Sequence, residues 1–500
     1  MIIRPNFEDI QLIGHYLGRL IIGIGVCMLA PVAVGLIARE FSPAMDFVLG
    51  FATCLSVGLL LTLVCKAEKD LSWLHGMVVV SLSWLVAMVL GAMPLFLSGH
   101  WASFLDACFD AMSGFATTGL MLVQDLDHLS YSHNFWRHFI MFLGGQGIVV
   151  VALTFLVRGI SGAFKIYVGE GRGEQVLPNV IHTARFIWMV SIVYFALGTF
   201  LLSMIAFFEG MPLLRSVFHG ACIFMAAFDT GGFTPQSQNI MYYHSFAFEI
   251  ATILIMVLGA INFKVHYALW TGDRKEILRN IEIVTFFASV FIIFSIMALD
   301  LTRSGVYPQA VMFFRRGFYQ LISAHTGTGF TTLYPGQFIH DWGNLAVFGI
   351  IVAMALGGAT CSTTGGIKVL RIGLIAKTLF HDVKKILLPE NAVDVARFHH
   401  IKDLVLEDER VRTVLLITTV YFFLYIGGAV VAMLLGYPLL ESLFESTSAA
   451  ANVGLSSGIT KVSMPAALKV TYILQMWAGR LEFMSVFALL GFIIVTLRGK

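Results

Sequence analysis

The chain has 500 residues, 58% of them hydrophobic and 12% charged, with a formal net charge of +2. A soluble domain carries charge at roughly a quarter of its positions, so these proportions exclude an ordinary water-soluble fold and place the chain in a bilayer. The few charges are segregated by loop rather than pooled on one face, which argues against a nucleic-acid partner, and all six cysteines (Cys27, Cys54, Cys65, Cys108, Cys222, Cys361) lie in or beside apolar segments without CxxC or metal-ligand spacing.

The first apolar run, 12–37, follows Glu8 and Asp9 and continues too far for a cleavable leader, so it is expected to stay in the membrane beside a second run, 43–65. A unit then recurs. Spans 73–97 and 134–157 flank a shorter apolar stretch at 103–119, and 186–208 and 245–270 flank 214–232. Likewise 281–300 and 344–379 flank 308–329, and 411–435 and 467–497 flank 440–454. A run of about 20 apolar residues crosses a hydrocarbon core of roughly 30 Å; the shorter stretches do not. The expected division is an N-terminal helix pair (1–68) and four pore repeats at 69–160, 161–272, 273–385 and 386–500, the third with an interrupted second helix. The fold class is therefore all-α and polytopic.

Lys and Arg collect in 158–185 (Arg158, Lys165, Arg172, Arg185), in 264–280 (Lys264, Arg274, Lys275, Arg279) and in 368–412, whereas 120–134 and 233–244 contain none. By the positive-inside rule the basic segments and the N-terminus face the cytoplasm and the short stretches open outward. No segment between spans approaches the roughly 100 residues of a domain, so any nucleotide-binding regulator has to be a separate chain. Gly169, Gly171 and Gly173 lack the spacing and flanking strand of a dinucleotide fingerprint and read as loop.

Each short stretch ends in glycine. Phe109-Asp110-Ala111-Met112-Ser113 leads to Gly119-Leu120 at the same offsets by which Phe444-Glu445-Ser446-Thr447-Ser448 leads to Gly454-Leu455; Ser323 precedes Gly329-Phe330 similarly, and the most degenerate copy has Ala226 before Gly232-Phe233. Unwound backbone at membrane depth is tolerated only where it is buried in protein or lines a watery cavity. A ring of backbone carbonyls replaces the hydration of a potassium ion without a buried counter-charge, and glycine permits the φ > 0 geometry that turns carbonyls inward. The carbonyls so assigned belong to Thr117, Thr118 and Gly119; Thr230, Gly231 and Gly232; Gly327, Thr328 and Gly329; and Asn452, Val453 and Gly454. The negative dipole ends of the half-helices favour a cation at the same place. Asp229 either concentrates cations at the mouth or caps backbone amides, Asp110 and Glu445 hold backbone or loop donors, and Arg315 and Arg316 face the outer end or partner a carboxylate.

Two irregularities remain. The run 344–379 is far longer than a span needs, and its middle, Gly357-Gly358-Ala359-Thr360-Cys361-Ser362-Thr363-Thr364-Gly365-Gly366, removes helix propensity at about 1 kcal/mol per glycine; an intramembrane loop obstructing the pore is expected, gated through Gly357, Gly358, Gly365 and Gly366. Arg480, near the middle of 466–497, costs about 2.5 to 3.5 kcal/mol if unpaired and must face the interior, with carbonyls of the 357–366 loop as expected partners and a gate latch as the expected role.

Ser113-Gly114-Phe115-Ala116-Thr117-Thr118-Gly119, the run from Ser362 to Lys368 with Arg371, and Gly479-Arg480-Leu481-Glu482 together resemble the Trk/Ktr/HKT superfamily of potassium transporters, most of all its TrkH-type subunit. The resemblance implies four membrane-helix, pore-helix, membrane-helix repeats around one pore, a homodimer in a bacterial inner membrane, and a cytosolic nucleotide-binding TrkA-type regulatory subunit. It implies potassium as the transported ion, since Gly119 stands where sodium-preferring relatives often carry serine, and no organic cofactor. Gated uptake driven by membrane potential is the resulting expectation; a proton- or sodium-coupled symporter with Asp229 as coupling carboxylate is the alternative. No HExxH, paired intramembrane aspartates or nucleophile with its base points to an enzyme.

Overall fold

Length and apolar content decide which helices can cross. In the computed structural model, which describes residues 6–66, 71–147, 180–307, 309–334, 336–389 and 394–498, six helices pass that test and up to eight do if two bent pairs each count as one. Helices α1 (Phe7–Cys27) and α2 (Leu29–Ala38) form one span, and α3 (Phe41–Val64) returns beside it. Gly18 and Gly58 make this crossing possible, because a Cβ on either would lie 2.8 Å from the other's carbonyl oxygen. The pair leans on the first repeat through Glu40, whose carboxylate accepts the N–H groups of Tyr131 (3.2 Å) and Ser132 (3.3 Å).

Each repeat supplies an entering span, a half-helix and a returning span. The entering spans are α4 (Trp73–Leu97), α7 (Val180–Phe208), α11 (Ile281–Arg303) and α15 (Asp408–Leu434). The half-helices are α5 (Phe104–Phe115), α8 (Leu213–Phe228), α12 (Tyr319–His325, continuing a π-helical turn at Phe314–Phe318) and α16 (Leu439–Ala450). Their inner halves are buried on every side, so the polar residues they carry, such as Asp110 and Glu445, must find partners inside the protein. The returning spans begin with α6 (Tyr131–Gln146), α9 (Phe246–Ala260), α13 (Asn344–Ala355) and α17 (Ala466–Arg480).

All four returning spans stop early. Two that the sequence reading treats as continuous are broken: α9 meets α10 (Phe263–Trp270) at 100°, and α17 meets α18 (Met484–Arg498) at 113°. The cause is close backbone approach. A Cβ on Gly144, Gly259 or Gly479 would collide with the carbonyl oxygen of Phe115, Phe228 or Ala450 respectively, so three returning helices press on the end of their own half-helix before turning. These glycines follow Gly119, Gly232 and Gly454 by 25, 27 and 25 residues. In the third repeat α13 ends, the loop expected at 357–366 follows, and α14 (Val369–Ile386) resumes. Residues 148–157 of the first returning span and Gly169, Gly171 and Gly173 lie outside the described residues. The one sheet among the described residues is an antiparallel hairpin, β1 (Arg397–His400) with β2 (Lys402–Val405), of which hydropathy gave no sign.

Candidate ion pathway

The four glycine loops adopt one conformation. Thr117, Thr230, Gly327 and Asn452 have φ of 52°, 50°, 70° and 56°, and two residues later Gly119, Gly232, Gly329 and Gly454 have 94°, 73°, 82° and 92°. Three of the first set carry side chains in a region L-residues seldom adopt, and such backbone persists only where surrounding structure holds it. Each half-helix is thus followed by two left-handed residues separated by one that is not.

The loops close into a ring. A Cβ at Gly119 would strike the carbonyl oxygen of Gly231; at Gly232, that of Thr328; at Gly329, that of Val453; and at Gly454, that of Thr118. Each glycine therefore lies against the carbonyl preceding the glycine of the next loop, and the fourth contact returns to the first loop. The loops are braced from behind: Ser113 Oγ accepts the Gly119 N–H and Ser448 Oγ the Gly454 N–H, both at 3.0 Å, while Ser323 Oγ donates to the Phe330 carbonyl at 2.6 Å. Asp110 accepts the Leu122 N–H at 2.6 Å, and Glu445 accepts from Ser456, Ser457 and Thr460, so both carboxylates hold loop donors as their positions suggest. Arg315 finds its carboxylate in Glu249, with bonds of 2.9 and 2.7 Å.

On one side of the ring, Gly119, Gly329 and Gly454 line a cavity of about 140 Å³ with Asn239, Thr331 and Ser456, and among the described residues no charged side chain lines it. On the other side lies the 356–368 loop. Its Thr363 Oγ1 is 3.2 Å from Thr230 Oγ1 and donates to the carbonyls of Phe228 (2.9 Å) and Gly259 (3.0 Å). Gly327 faces Thr364 and Gly365, and a Cβ on Gly365 would meet Ala451 and the Asn452 side chain. Gly357 and Gly366 sit against one another at the neck, where a Cβ on Gly357 would collide with the Gly365 carbonyl, and Gly358 N–H is held by Thr364 Oγ1 at 3.0 Å.

Arg480 completes the underside. Its guanidinium donates to Thr363 O (2.6 Å), Thr117 Oγ1 (3.1 Å) and Gly144 O (2.7 Å), so it joins the 356–368 loop, the first glycine loop and the first returning helix. The expected carbonyl partner is there, but Arg480 closes α17 rather than sitting inside a continuous span, because Glu482 and Phe483 turn left-handed at φ of 50° and 71°. Glu482 binds Arg371 and Lys368 Nζ binds the Thr364 carbonyl, which brings three cationic side chains and one carboxylate beneath the ring.

Of the two roles open to Asp229, the one at the mouth is not seen: Asp229 does not line the cavity but is fully buried at the inner end of α8 and accepts from Gln146 Nε2 at 2.9 Å, with Ser191 Oγ donating to Gln146 Oε1 at 2.9 Å. Sequence reasoning missed Asn452 as a side-chain tie, donating to Thr118 Oγ1 and Met476 O at 3.0 Å each. It also missed Arg137, fully buried with its guanidinium 4.2 Å from the Phe233 ring centroid. The repeated glycines at Gly144, Gly259 and Gly479 were the available signal for the inner layer.

Known proteins resemble this chain over most of its length. A family model described as a cation transport protein, TrkH, matches residues 43–495. An uncharacterized cation transporter of Methanocaldococcus jannaschii is 31% identical over 98% of this chain and 97% of its own length. Two Escherichia coli proteins are also similar: the Trk system potassium uptake protein TrkG, 26% identical over 97% of this chain and 98% of its own, and TrkH, 28% identical over 76% and 77%. The crystal structure of the potassium transporter TrkH from Vibrio parahaemolyticus superposes with a TM-score of 0.82 over 96% of this chain and 98% of that one, at 24% identity, which establishes the shared fold. A chain with this ring, these repeats and that family match is a multi-pass membrane transporter and not an enzyme, and it belongs to the TrkH family of cation transport proteins.

Proposed function

We propose that this chain is the ion-translocating subunit of a Trk-type potassium uptake system. The observation that carries the reading is the closed succession of glycine-to-carbonyl contacts among the four loops. Carbonyls of Thr117–Gly119, Thr230–Gly232, Gly327–Gly329 and Asn452–Gly454 replace the ion's water, and the half-helix C-termini aim their negative ends at the same axis. The uncharged cavity is the outer vestibule, and the 357–366 loop under the ring, latched by Arg480, is the gate. With the loop in place, its backbone and three cations stand in the path of a fourth.

The Lys- and Arg-rich segments face the cytoplasm with the N-terminus, and uptake is driven by the membrane potential, at about 2.3 kcal/mol per charge per 100 mV. Working in a bacterial inner membrane as a homodimer, the chain takes its regulation from a cytosolic nucleotide-binding TrkA-type subunit docked on those basic segments. The names of the Escherichia coli relatives, both Trk system potassium uptake proteins, support the system and the ion. The test is flux in purified liposomes with cation and voltage varied independently. Uptake is expected to follow the imposed voltage, to prefer potassium over sodium and to ignore proton and sodium gradients; uptake that tracks either gradient returns the symport alternative.

A further inference from the structure

Thr360, in the gate loop, is held by a residue from another helix. Its N–H and its Oγ1 both donate to Glu282 Oε1, at 2.6 and 2.7 Å, while Asn262 Nδ2 donates to Glu282 Oε2 at 3.0 Å and to Thr360 Oγ1 at 3.2 Å. Glu282 lies in the first turn of α11 and is 1% exposed. A buried carboxylate is costly unless donors surround it, and the positive end of the helix dipole adds to their effect.

The contacts continue away from the pore. Asn280 Oδ1 accepts the Glu282 N–H at 2.9 Å, and Asn280 Nδ2 donates to Glu276 Oε1 at 2.6 Å. The same Glu276 oxygen accepts the Ile401 N–H at 3.0 Å. Ile401 is the single turn residue between β1 and β2 and has φ of 62°, a conformation that a β-branched side chain adopts only under constraint. His399 Nε2 lies 2.9 Å from the other Glu276 oxygen, and Asp403 and Glu276 together hold its pKa above the ordinary histidine value. Phe398 packs with Leu374 of α14 and Val414 of α15, so the hairpin also touches the helix leaving the gate loop.

An unbroken polar succession, Ile401–Glu276–Asn280–Glu282–Thr360, therefore connects a hairpin outside the membrane to the loop beneath the filter, with a bond of 3.0 Å or less at every step. We propose that Glu282 is the positioning residue that keeps the gate loop in the pathway, and that the 397–405 hairpin sets it through Asn280 and Glu276. Lifting the hairpin from Glu276 frees Asn280, then Glu282, then Thr360, and the loop leaves. This inference rests on reading 357–366 as the gate.

The experiment is potassium flux in liposomes containing the full chain without a partner, for Thr360→Val, Glu282→Gln, Glu276→Ala, the Glu276→Ala/Thr360→Val double variant, and a chain lacking 357–366. Thr360→Val keeps the side-chain shape, so it remains informative should a bolder variant not fold. Each single variant is expected to raise basal flux about tenfold, the scale of one charge-assisted hydrogen bond, with the potassium-to-sodium ratio unchanged and the double variant no higher than the larger single effect. Unchanged flux in Thr360→Val and Glu282→Gln, or independent effects in the double variant, overturns the proposal when the loop-deleted chain leaks. A loop-deleted chain with unchanged flux overturns the gate reading itself.

Discussion

The glycine loops of repeats 1 and 4 are braced from within, and that of repeat 2 is braced from outside. In the first pair the matched Ser113 and Ser448 hold the glycine N–H, and Asp110 and Glu445 hold an N–H twelve residues on. Repeat 2 has Ile223 and Ala226 at those positions. Its Gly232 N–H goes instead to the Ala226 carbonyl at 3.3 Å, and neighbours hold the rest: Asp127 accepts from Ser237 N–H (2.8 Å) and Oγ (2.5 Å), Asn134 Nδ2 donates to Pro235 O (3.0 Å), and Thr363 meets Thr230. The backbone conformation is nonetheless the same in all the loops. A ring in which every loop seats its neighbour's glycine tolerates one member with weak internal support.

The strongest way to break that comparison is to put a side chain on the ring. Gly119→Ser and Gly232→Ser should each lower potassium-over-sodium discrimination at least tenfold, on the order of 1.4 kcal/mol or more, despite their unequal braces, because each new Cβ must displace a carbonyl of the following loop. Reversal potentials in mixed cations check this; damage at Gly119 with none at Gly232 would separate the second loop from the ring.

Next comes the loss of a buried acceptor. Glu445→Ala strands several donors, and Asp110→Ala strands the Leu122 N–H and removes a carboxylate that acts on buried Arg137, so each should cost about 3 kcal/mol. Thermal unfolding in detergent checks both, and a loss under about 1 kcal/mol in either would contradict the contact pattern. Ser113→Ala and Ser448→Ala recreate what Ala226 already is, so each should cost about 1 kcal/mol and shift discrimination only slightly. The smallest effect belongs to Asp127→Asn, about 0.5 kcal/mol, because this brace is exposed; it should loosen loop 2 alone, read as faster amide exchange at Gly232 with Gly119 and Gly454 unchanged.

Much of this was legible in the residues. Glycine at four matched positions reflects a backbone requirement, and the matched Asp110 and Glu445 announced their hydrogen-bonding duties, whereas the role of the equally matched Ser113 and Ser448 emerged only in the structure. Arg480 was legible as interior because an unpaired cation in hydrocarbon is too costly, and the interrupted third returning span because ten small residues cannot sustain a helix there. The breaks at Ile261–Asn262 and Leu481–Phe483 were not legible. Hydropathy averages transfer energy over about 20 residues, so a short turn with apolar helix on both sides leaves little mark on it.

The sequence by itself therefore determined the class of the molecule, the number of repeats, the four loop glycines at which the backbone turns left-handed and the residues whose charge must be satisfied indoors. Those follow from solvation and local sterics, which act on each residue wherever its neighbours lie. Only the tertiary structure decided which carbonyl each glycine meets, that Asp229 pairs with Gln146 behind the second glycine loop, and that Glu282 reaches from α11 to Thr360. A hydrogen bond depends on position to within tenths of an ångström between segments far apart in the chain, and no local property encodes that meeting.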